Sequence, residues 1–202
     1  RQGARVAICA RDDDELAVAH VELLQRGYDA LALPCDLTNQ KQVEALIRDV
    51  THQFGQLNVL VNNAGIISVG PVEEMTLSAF EQAMQSNYFA ALYTILAALP
   101  AMKARREGRI VNIVSIGGKI SVPHLLPYSA SKFALAGLSK GLRAELKKDR
   151  ISVTTVYPGL MRTGSPRNAT FKGQHRAEYA WFSISDSLPF TSISAERAAR
   201  EI

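Results

Sequence analysis

Three side chains of this sequence have the types and the spacing needed for proton transfer. Tyr128 and Lys132 lie four residues apart at the start of a predicted helix, where such positions share one face. A fixed ammonium beside a phenol favours the phenolate and lowers the phenol's pKa from about 10. Ser115 ends an apolar run thirteen positions before Tyr128. Its hydroxyl can hydrogen-bond a substrate oxygen without itself titrating.

Each of these features is weak when it stands alone. A tyrosine and a lysine at this spacing usually mark an ordinary helix face, and a serine after a strand is usually a turn residue. The combination predicts proton transfer only if the surrounding elements bring the three side chains together.

Strands and helices alternate along the chain. Predicted strands cover residues 4–11, 29–34, 57–61, 109–115 and 151–157. Predicted helices cover 13–26, 38–54, a region with a break from 76 to 106, and 127–148, with Thr38 as the expected cap of the second helix. This order specifies an α/β fold: a doubly wound parallel sheet with helices on both faces.

Ligands bind such sheets at the carboxyl ends of the strands. The residues at those ends are Arg11, Asp36, Asn63, Ser115 and Pro158. From about residue 160 to residue 192 the sequence has no sustained period and mixes aromatic with basic side chains. It is either a functional lid or a surface excursion, and we expect it to select an apolar or mildly anionic substrate.

Composition restricts the remaining possibilities. With 202 residues, of which 47% are hydrophobic and 21% charged, the chain fits a single domain over 1–202. The net charge of +4 comes from scattered cations, which favours solvated helix ends over a nucleic-acid site. The uncharged run 82–102 is too polar for a membrane span. Cys9 and Cys35 lack metal-ligand spacing, so we expect free thiols, a reducing cytoplasmic location and no metal.

Several separated motifs resemble, in order and spacing, those of the short-chain dehydrogenase/reductase family. They are Asn62-Asn63-Ala64-Gly65, Asn87, Ser115, Tyr128-x-x-x-Lys132, and Pro158-Gly159 with Thr163. The likeness covers nearly the whole chain. It implies a Rossmann-like fold and hydride transfer between a nicotinamide cofactor and a carbonyl or alcohol.

The resemblance also implies a role for four residues. Tyr128 would be the general acid in reduction and the base in oxidation, and Ser115 would hold the substrate oxygen. Lys132 would favour ionisation of Tyr128 and hydrogen-bond the nicotinamide ribose. Asn87 would anchor a water that links Lys132 to solvent, although the residue alone suggests only a helix position that bonds its own backbone.

By the same resemblance, three segments of the rim would contact the cofactor beside Tyr128 and Lys132. Asn63-Ala64-Gly65 would lie beside the adenosine ribose, and Asp36-Leu37 would contact the adenine. Pro158-Gly159, with Thr163, would frame the nicotinamide and the pyrophosphate. An acidic residue at the end of the first strand would favour NAD. Ala10 stands there instead, followed by Arg11, which can pair a 2′-phosphate. We therefore expect NADP rather than NAD, unless a later strand end makes Asp12 the acceptor.

One family motif, the glycine-rich loop Thr-Gly-x-x-x-Gly-x-Gly, does not occur in the sequence. The resemblance thus implies that the family's first central strand and last edge strand are missing from 1–202. A fragment of a longer protein and a truncated protein both remain open, and we favour the fragment. If the structure too lacks the central strand, the strand at 4–11 should lie about 10 Å from the strand at 57–62, with no hydrogen bonds between them.

Three function classes remain. An NADP-dependent carbonyl reductase or alcohol dehydrogenase leads, ahead of a non-catalytic dinucleotide-binding regulator and a sugar-nucleotide epimerase or dehydratase. Together, Ser115, Tyr128, Lys132 and Asn87 argue against the regulator. The expected partner is a small carbonyl or alcohol substrate, with no nucleic acid and no membrane. By resemblance, the helices around 82–102 and 133–146 would build a homodimer or homotetramer.

Overall fold

Parallel strands joined by helices form the body of the protein. The computed structural model describes residues 3–162, 169–173 and 192–201. Its main strands are β1 (Val6–Ala10), β2 (Ala30–Pro34), β3 (Val59–Asn62), β5 (Gly108–Ile113) and β6 (Ile151–Val156), with the short β4 (Ser68–Val69) between β3 and β5. Its helices are α1 (Asp13–Gln25), α2 (Gln40–Phe54), α3 (Leu77–Met84), α4 (Ala90–Arg105), α5 (Leu126–Glu145) and α6 (Ala195–Glu201).

The strands pair in the parallel sense that the sequence predicts. β1 pairs with β2, while β3, β5 and β6 form a second sheet in that order. In the described ranges β1 and β3 are not hydrogen-bonded to each other, as expected, and a cavity of about 880 Å³ lies between them. The carboxyl ends of the strands in each sheet lie at one edge, where the predicted site residues follow them.

Local signals fix the helix ends. The Asp12 carboxylate accepts a hydrogen bond from the Glu15 amide at 2.8 Å and begins α1, and Gly27, with φ of 77°, follows its end. The prediction that Thr38 caps α2 is wrong. The Asn39 side chain accepts from the amides of Lys41 and Gln42, whereas the Thr38 hydroxyl donates to Asp36.

Two apolar clusters hold the helices on the sheets. One joins α4 to β5 and β6 through Ile95, Met102, Ile110 and Val153, which are 0 to 4% exposed. The other places α2 on β1 and β2 around the buried Val43. Because burying such a side chain contributes about 1.5–3 kcal/mol, these contacts keep the strand ends in place.

Short strands occur where the sequence shows no period. β7 (Leu160–Arg162) pairs with β9 (Ser192–Ser194), and β4 pairs with β8 (Thr170–Phe171). The rest of the predicted substrate segment, 163–168 and 174–191, lies outside the described residues, so its role stays a prediction. Within the part of the chain that the structure describes, none of the helices combines the length and apolar character needed to cross a membrane.

Candidate active site

Helix α5 brings Tyr128 and Lys132 together, as their spacing predicts. Lys132 is 4% exposed, and its Nζ lies 5.7 Å from the centroid of the Tyr128 ring. The Lys132 ammonium donates a hydrogen bond to the carbonyl of Ile113, the last residue of β5, at 3.0 Å. Burial lowers the pKa of Lys132 from 10.5 to about 8. The lysine therefore remains mostly protonated at neutral pH.

A tight turn after β5 places Ser115 beside Tyr128. The Ser115 hydroxyl accepts a hydrogen bond from the Gly117 amide at 3.1 Å, and a 3₁₀ turn covers Ile116–Gly118. A Cβ on Gly117 would lie 3.2 Å from Cε1 of Tyr128 and 3.5 Å from the Ser115 hydroxyl. The Tyr128 ring and the Ser115 hydroxyl therefore both lie close to Gly117, where a larger side chain would meet them. Sequence reasoning missed this close contact.

Asn87 lies in a π-helical turn, Gln85–Phe89, between α3 and α4. It is 1% exposed and bonds Ile66 through both ends of its amide: its oxygen accepts from the Ile66 amide at 2.8 Å, and its nitrogen donates to the Ile66 carbonyl at 3.0 Å. The same nitrogen donates to the Ser131 hydroxyl at 2.9 Å. Asn87 therefore ties the segment after β3 to α5, and its side chain does not bond its own helix.

Gly65 fits closely against two of the predicted catalytic residues. A Cβ at this position would lie 2.5 Å from the Asn87 side-chain oxygen and 3.5 Å from Lys132 Nζ. Sequence reasoning gave Gly65 only a role beside the cofactor. Sequence reasoning also missed Ser131, whose hydroxyl donates to the Tyr128 carbonyl at 2.7 Å. Its position between Tyr128 and Lys132 could have indicated that it contacts the site.

The predicted cofactor residues lie at the carboxyl ends of the strands. Asn63, Ala64 and Gly65 are exposed directly after β3. The Pro158 carbonyl accepts from the Ile116 amide at 2.8 Å, which joins the segment after β6 to the loop that follows Ser115. Gly159 follows and is exposed, whereas the predicted contact Thr163 lies outside the described residues.

Arg11 and Asp36 lie near each other at the ends of β1 and β2. The amide and hydroxyl of Thr38 donate to the Asp36 carboxylate at 3.0 and 2.8 Å. These bonds lower the pKa of Asp36, and the nearby Arg11 charge adds to the effect. Because β1 ends at Ala10 and Asp12 caps α1, the condition for Asp12 as the ribose acceptor is not met. Arg11 is exposed after β1, and Leu37 is partly buried after β2.

Comparisons with known proteins identify the family of this chain. The short chain dehydrogenase family model matches residues 1–172. A dehydrogenase/reductase SDR family protein 7-like from Anopheles gambiae is 37% identical over 172 residues, which cover 83% of this chain and 54% of that protein. The chain spans 54 to 63% of the length of this and two other curated relatives.

Solved structures show the same fold. A variant of actinorhodin polyketide ketoreductase with NADPH has a TM-score of 0.86 and 31% identity, covering 98% of this chain and 78% of that one. An NAD⁺-bound xylitol dehydrogenase has a TM-score of 0.74 and 27% identity, covering 80% of this chain and 63% of that one. The family model, the sequence relatives and the shared fold lead to one conclusion. This protein belongs to the short-chain dehydrogenase/reductase family.

Proposed function

We propose that this protein reduces a carbonyl, or oxidises the corresponding alcohol, with NADP(H) as cofactor. The observation that carries the proposal is a buried lysine ammonium 5.7 Å from the ring centroid of Tyr128, with the Tyr128 ring and the Ser115 hydroxyl both close to Gly117. A phenol near a cation and a hydroxyl is suited to exchange a proton with an oxygen held by that hydroxyl.

The side chains divide the work in the direction of reduction. Ser115 donates a hydrogen bond to the carbonyl oxygen and stabilises the negative charge that develops there. Tyr128 gives its proton to that oxygen, and the Lys132 cation stabilises the phenolate that remains. NADPH supplies the hydride for the carbonyl carbon when bound. Asn87 joins Ile66 to α5 and, by family resemblance, would anchor a water that links Lys132 to solvent, from which Tyr128 regains its proton.

The preference for NADP rests on Arg11. Its exposed guanidinium follows β1, and Asp12 is engaged as a helix cap. Fluorescence titration should show tighter binding of NADPH than of NADH, and Arg11→Ala should remove most of that difference, about tenfold or more. Arg26→Ala, at the exposed residue that follows α1, is the matched control. An unchanged preference in Arg11→Ala would refute this assignment.

Turnover tests the proposed reaction. The protein should oxidise NADPH in the presence of at least one class of aldehyde or ketone from a broad panel. Binding of NADPH without turnover on the whole panel would instead support a non-catalytic regulator. Conversion of a sugar nucleotide with no net change in the cofactor would support an epimerase or dehydratase.

The proposed setting is a reducing, cytoplasmic compartment and a homodimer or homotetramer. Cys9 and Cys35 are free, and burial raises the pKa of both thiols, which suits inert core cysteines. Leu96 on α4 and Phe133 on α5 are 54 and 44% exposed. These exposed apolar side chains support a subunit contact through the two helices.

A further inference from the structure

A line of hydrogen-bonded polar side chains crosses the β3–β5–β6 sheet just before its carboxyl edge. Asn62, Asn112 and Thr155 occupy aligned positions on the three strands. Thr94 of α4 and Ser139 of α5 extend the line. We call these five residues the polar row. Such a row is unusual inside a sheet whose other inward positions are apolar.

Every step of the polar row is a hydrogen bond. Thr94 donates to Asn62 at 2.6 Å, and the Asn62 amide donates to the Asn112 oxygen at 2.9 Å. Asn112 donates to the Ser139 hydroxyl at 3.0 Å, which lies 2.7 Å from the Thr155 hydroxyl. Asn112 and Ser139 are 0% exposed and Thr94 is 4% exposed. In such surroundings an unpaired polar group is costly, so each member constrains its neighbours.

The backbone continues from two members of the row directly into the candidate active site. Asn62 begins the turn that ends at Gly65, which fits closely against Asn87 and Lys132. Asn112 precedes Ile113, whose carbonyl accepts the Lys132 hydrogen bond. The side-chain hydrogen bond between Asn62 and Asn112 therefore joins two backbone segments that approach the same ammonium.

We propose that the polar row positions Lys132 and the cofactor-side turn relative to each other. Thr94, Asn112, Ser139 and Thr155 are then positioning residues, since they act through Asn62 and Ile113 and do not touch the reacting atoms. This inference rests on the proposed function for its catalytic consequence. Its structural part, that the row holds the Ile113 carbonyl against Lys132, can be tested without turnover.

Substitution of Thr155 separates the hydroxyl from the volume of the side chain. Thr155→Val replaces the hydroxyl with a methyl group of similar size and leaves Ser139 without one partner, whereas Thr155→Ser keeps the bond. For Thr155→Val we expect kcat to fall about five- to tenfold, with KM for the carbonyl within about twofold. Thr155→Ser should restore at least half of the wild-type kcat. Asn112→Leu, which breaks the row at its centre, should show a larger loss.

NMR titration of the Lys132 side chain gives the readout that does not depend on catalysis. If the Ile113 carbonyl moves away, the ammonium loses a hydrogen bond and its pKa falls further. We expect this fall in Thr155→Val and Asn112→Leu and not in Thr155→Ser. Val153→Ala is the matched control, because it opens a cavity in the same strand outside the row.

The two readouts separate the possible failures. An unchanged Lys132 titration and unchanged kcat in Thr155→Val would overturn the positioning role and leave the row as a stabilising element only. An equal loss of kcat in Val153→Ala at matched stability would do the same. If the wild type turns over no carbonyl, the proposed function fails, and the Lys132 titration still decides whether the row holds the ammonium.

Discussion

Lys132 keeps a positive charge in a place that is almost closed to water. Its side chain is 4% exposed, and its ammonium donates to the Ile113 carbonyl at 3.0 Å. Burial opposes the charged form and brings its pKa to about 8, while the reaction proposed above requires that form. The same residue therefore links catalysis and stability to pH, with opposite signs.

Raising the pH from about 8 to 10.5 should lower activity and raise stability. In this range the unfolded chain holds a proton on Lys132 that the folded protein has lost, so the free energy of unfolding rises with pH, by up to about 3 kcal/mol. Over the same range kcat for reduction falls, because a neutral amine no longer stabilises the phenolate. Urea unfolding and pH profiles of kcat measure the two trends.

Lys132→Met is the control for the stability trend, since it has no amine to titrate. The difference in unfolding free energy between wild type and Lys132→Met should change over this pH range and stay constant below it. If wild type lost stability relative to the variant as the pH rose, the buried, charge-opposing environment would be contradicted.

Gly65→Ala tests the close contact beside Asn87 and Lys132. Its Cβ would lie 2.5 Å from the Asn87 side-chain oxygen, so Asn87 or the turn must move. We expect a loss of roughly 1–3 kcal/mol in stability and at least about a tenfold loss in kcat, measured by denaturant unfolding and NADPH oxidation. Gly141→Ala meets nothing within 4 Å and should be neutral or stabilising by about 0.5–1 kcal/mol. Wild-type activity in Gly65→Ala would show that the contact is not critical.

Among the elements, the π-helical turn Gln85–Phe89 holds the Asn87 that joins Ile66 to Ser131. Periodicity predicted a break in this helical region, and family resemblance selected Asn87. Neither could identify its partners, since they lie on segments 21 and 44 residues away. The π-helical turn itself is too short to produce a recognisable spacing of apolar residues in the sequence.

The long strands and helices could be predicted from the sequence, whereas the two-residue strands could not. Strands and helices of the body carry apolar periods over many residues, so their order and the rim residues follow from the sequence. β4 and β8, with two residues each, have no period and depend on their partners alone. The cap of α2 was misassigned because Thr38 and Asn39 are both good caps, and the Asp36 side chain captures the Thr38 hydroxyl.

Asn39→Ala should destabilise the protein by about 1 kcal/mol, because two amides at the start of α2 lose their acceptor. Asn39→Asp keeps an acceptor and should stay close to wild type. Denaturant unfolding measures the free energy of unfolding of both variants, provided that its dependence on denaturant concentration is the same as in the wild type. If Asn39→Asp lost as much unfolding free energy as expected for Asn39→Ala, or if Asn39→Ala lost none, the role of Asn39 as the cap of α2 would be contradicted.

At the scale of the molecule, part of the predicted cofactor rim lies between two separately paired groups of strands. In the described residues β1–β2 and β3–β5–β6 share no hydrogen bonds, and the cavity of about 880 Å³ lies between them. The cavity is lined by Leu37, Asn63 and Ala64, which are predicted cofactor contacts. The sequence predicted the unpaired strands through the absent glycine-rich motif, but the lining of the cavity depends on the packing of distant helices.

Self-association should depend on α4 and α5. Leu96→Glu and Phe133→Glu place charges on exposed apolar positions of these helices and should shift a homodimer or homotetramer toward a smaller species. Light scattering coupled to size-exclusion chromatography measures the mass. Leu77→Glu, at a 75% exposed position of α3, is the control. An unchanged mass in both helix variants would exclude these residues from the subunit contact.

The most direct test of the account is the rate of NADPH oxidation by Tyr128→Phe, measured on a ketone that the wild type reduces. The substitution removes one hydroxyl and keeps the ring that packs beside Gly117 and Lys132. We predict NADPH binding close to wild type and a fall in kcat of at least about a hundredfold, as expected for loss of a general acid. Equal turnover by wild type and Tyr128→Phe would contradict the central claim that this phenol transfers the proton.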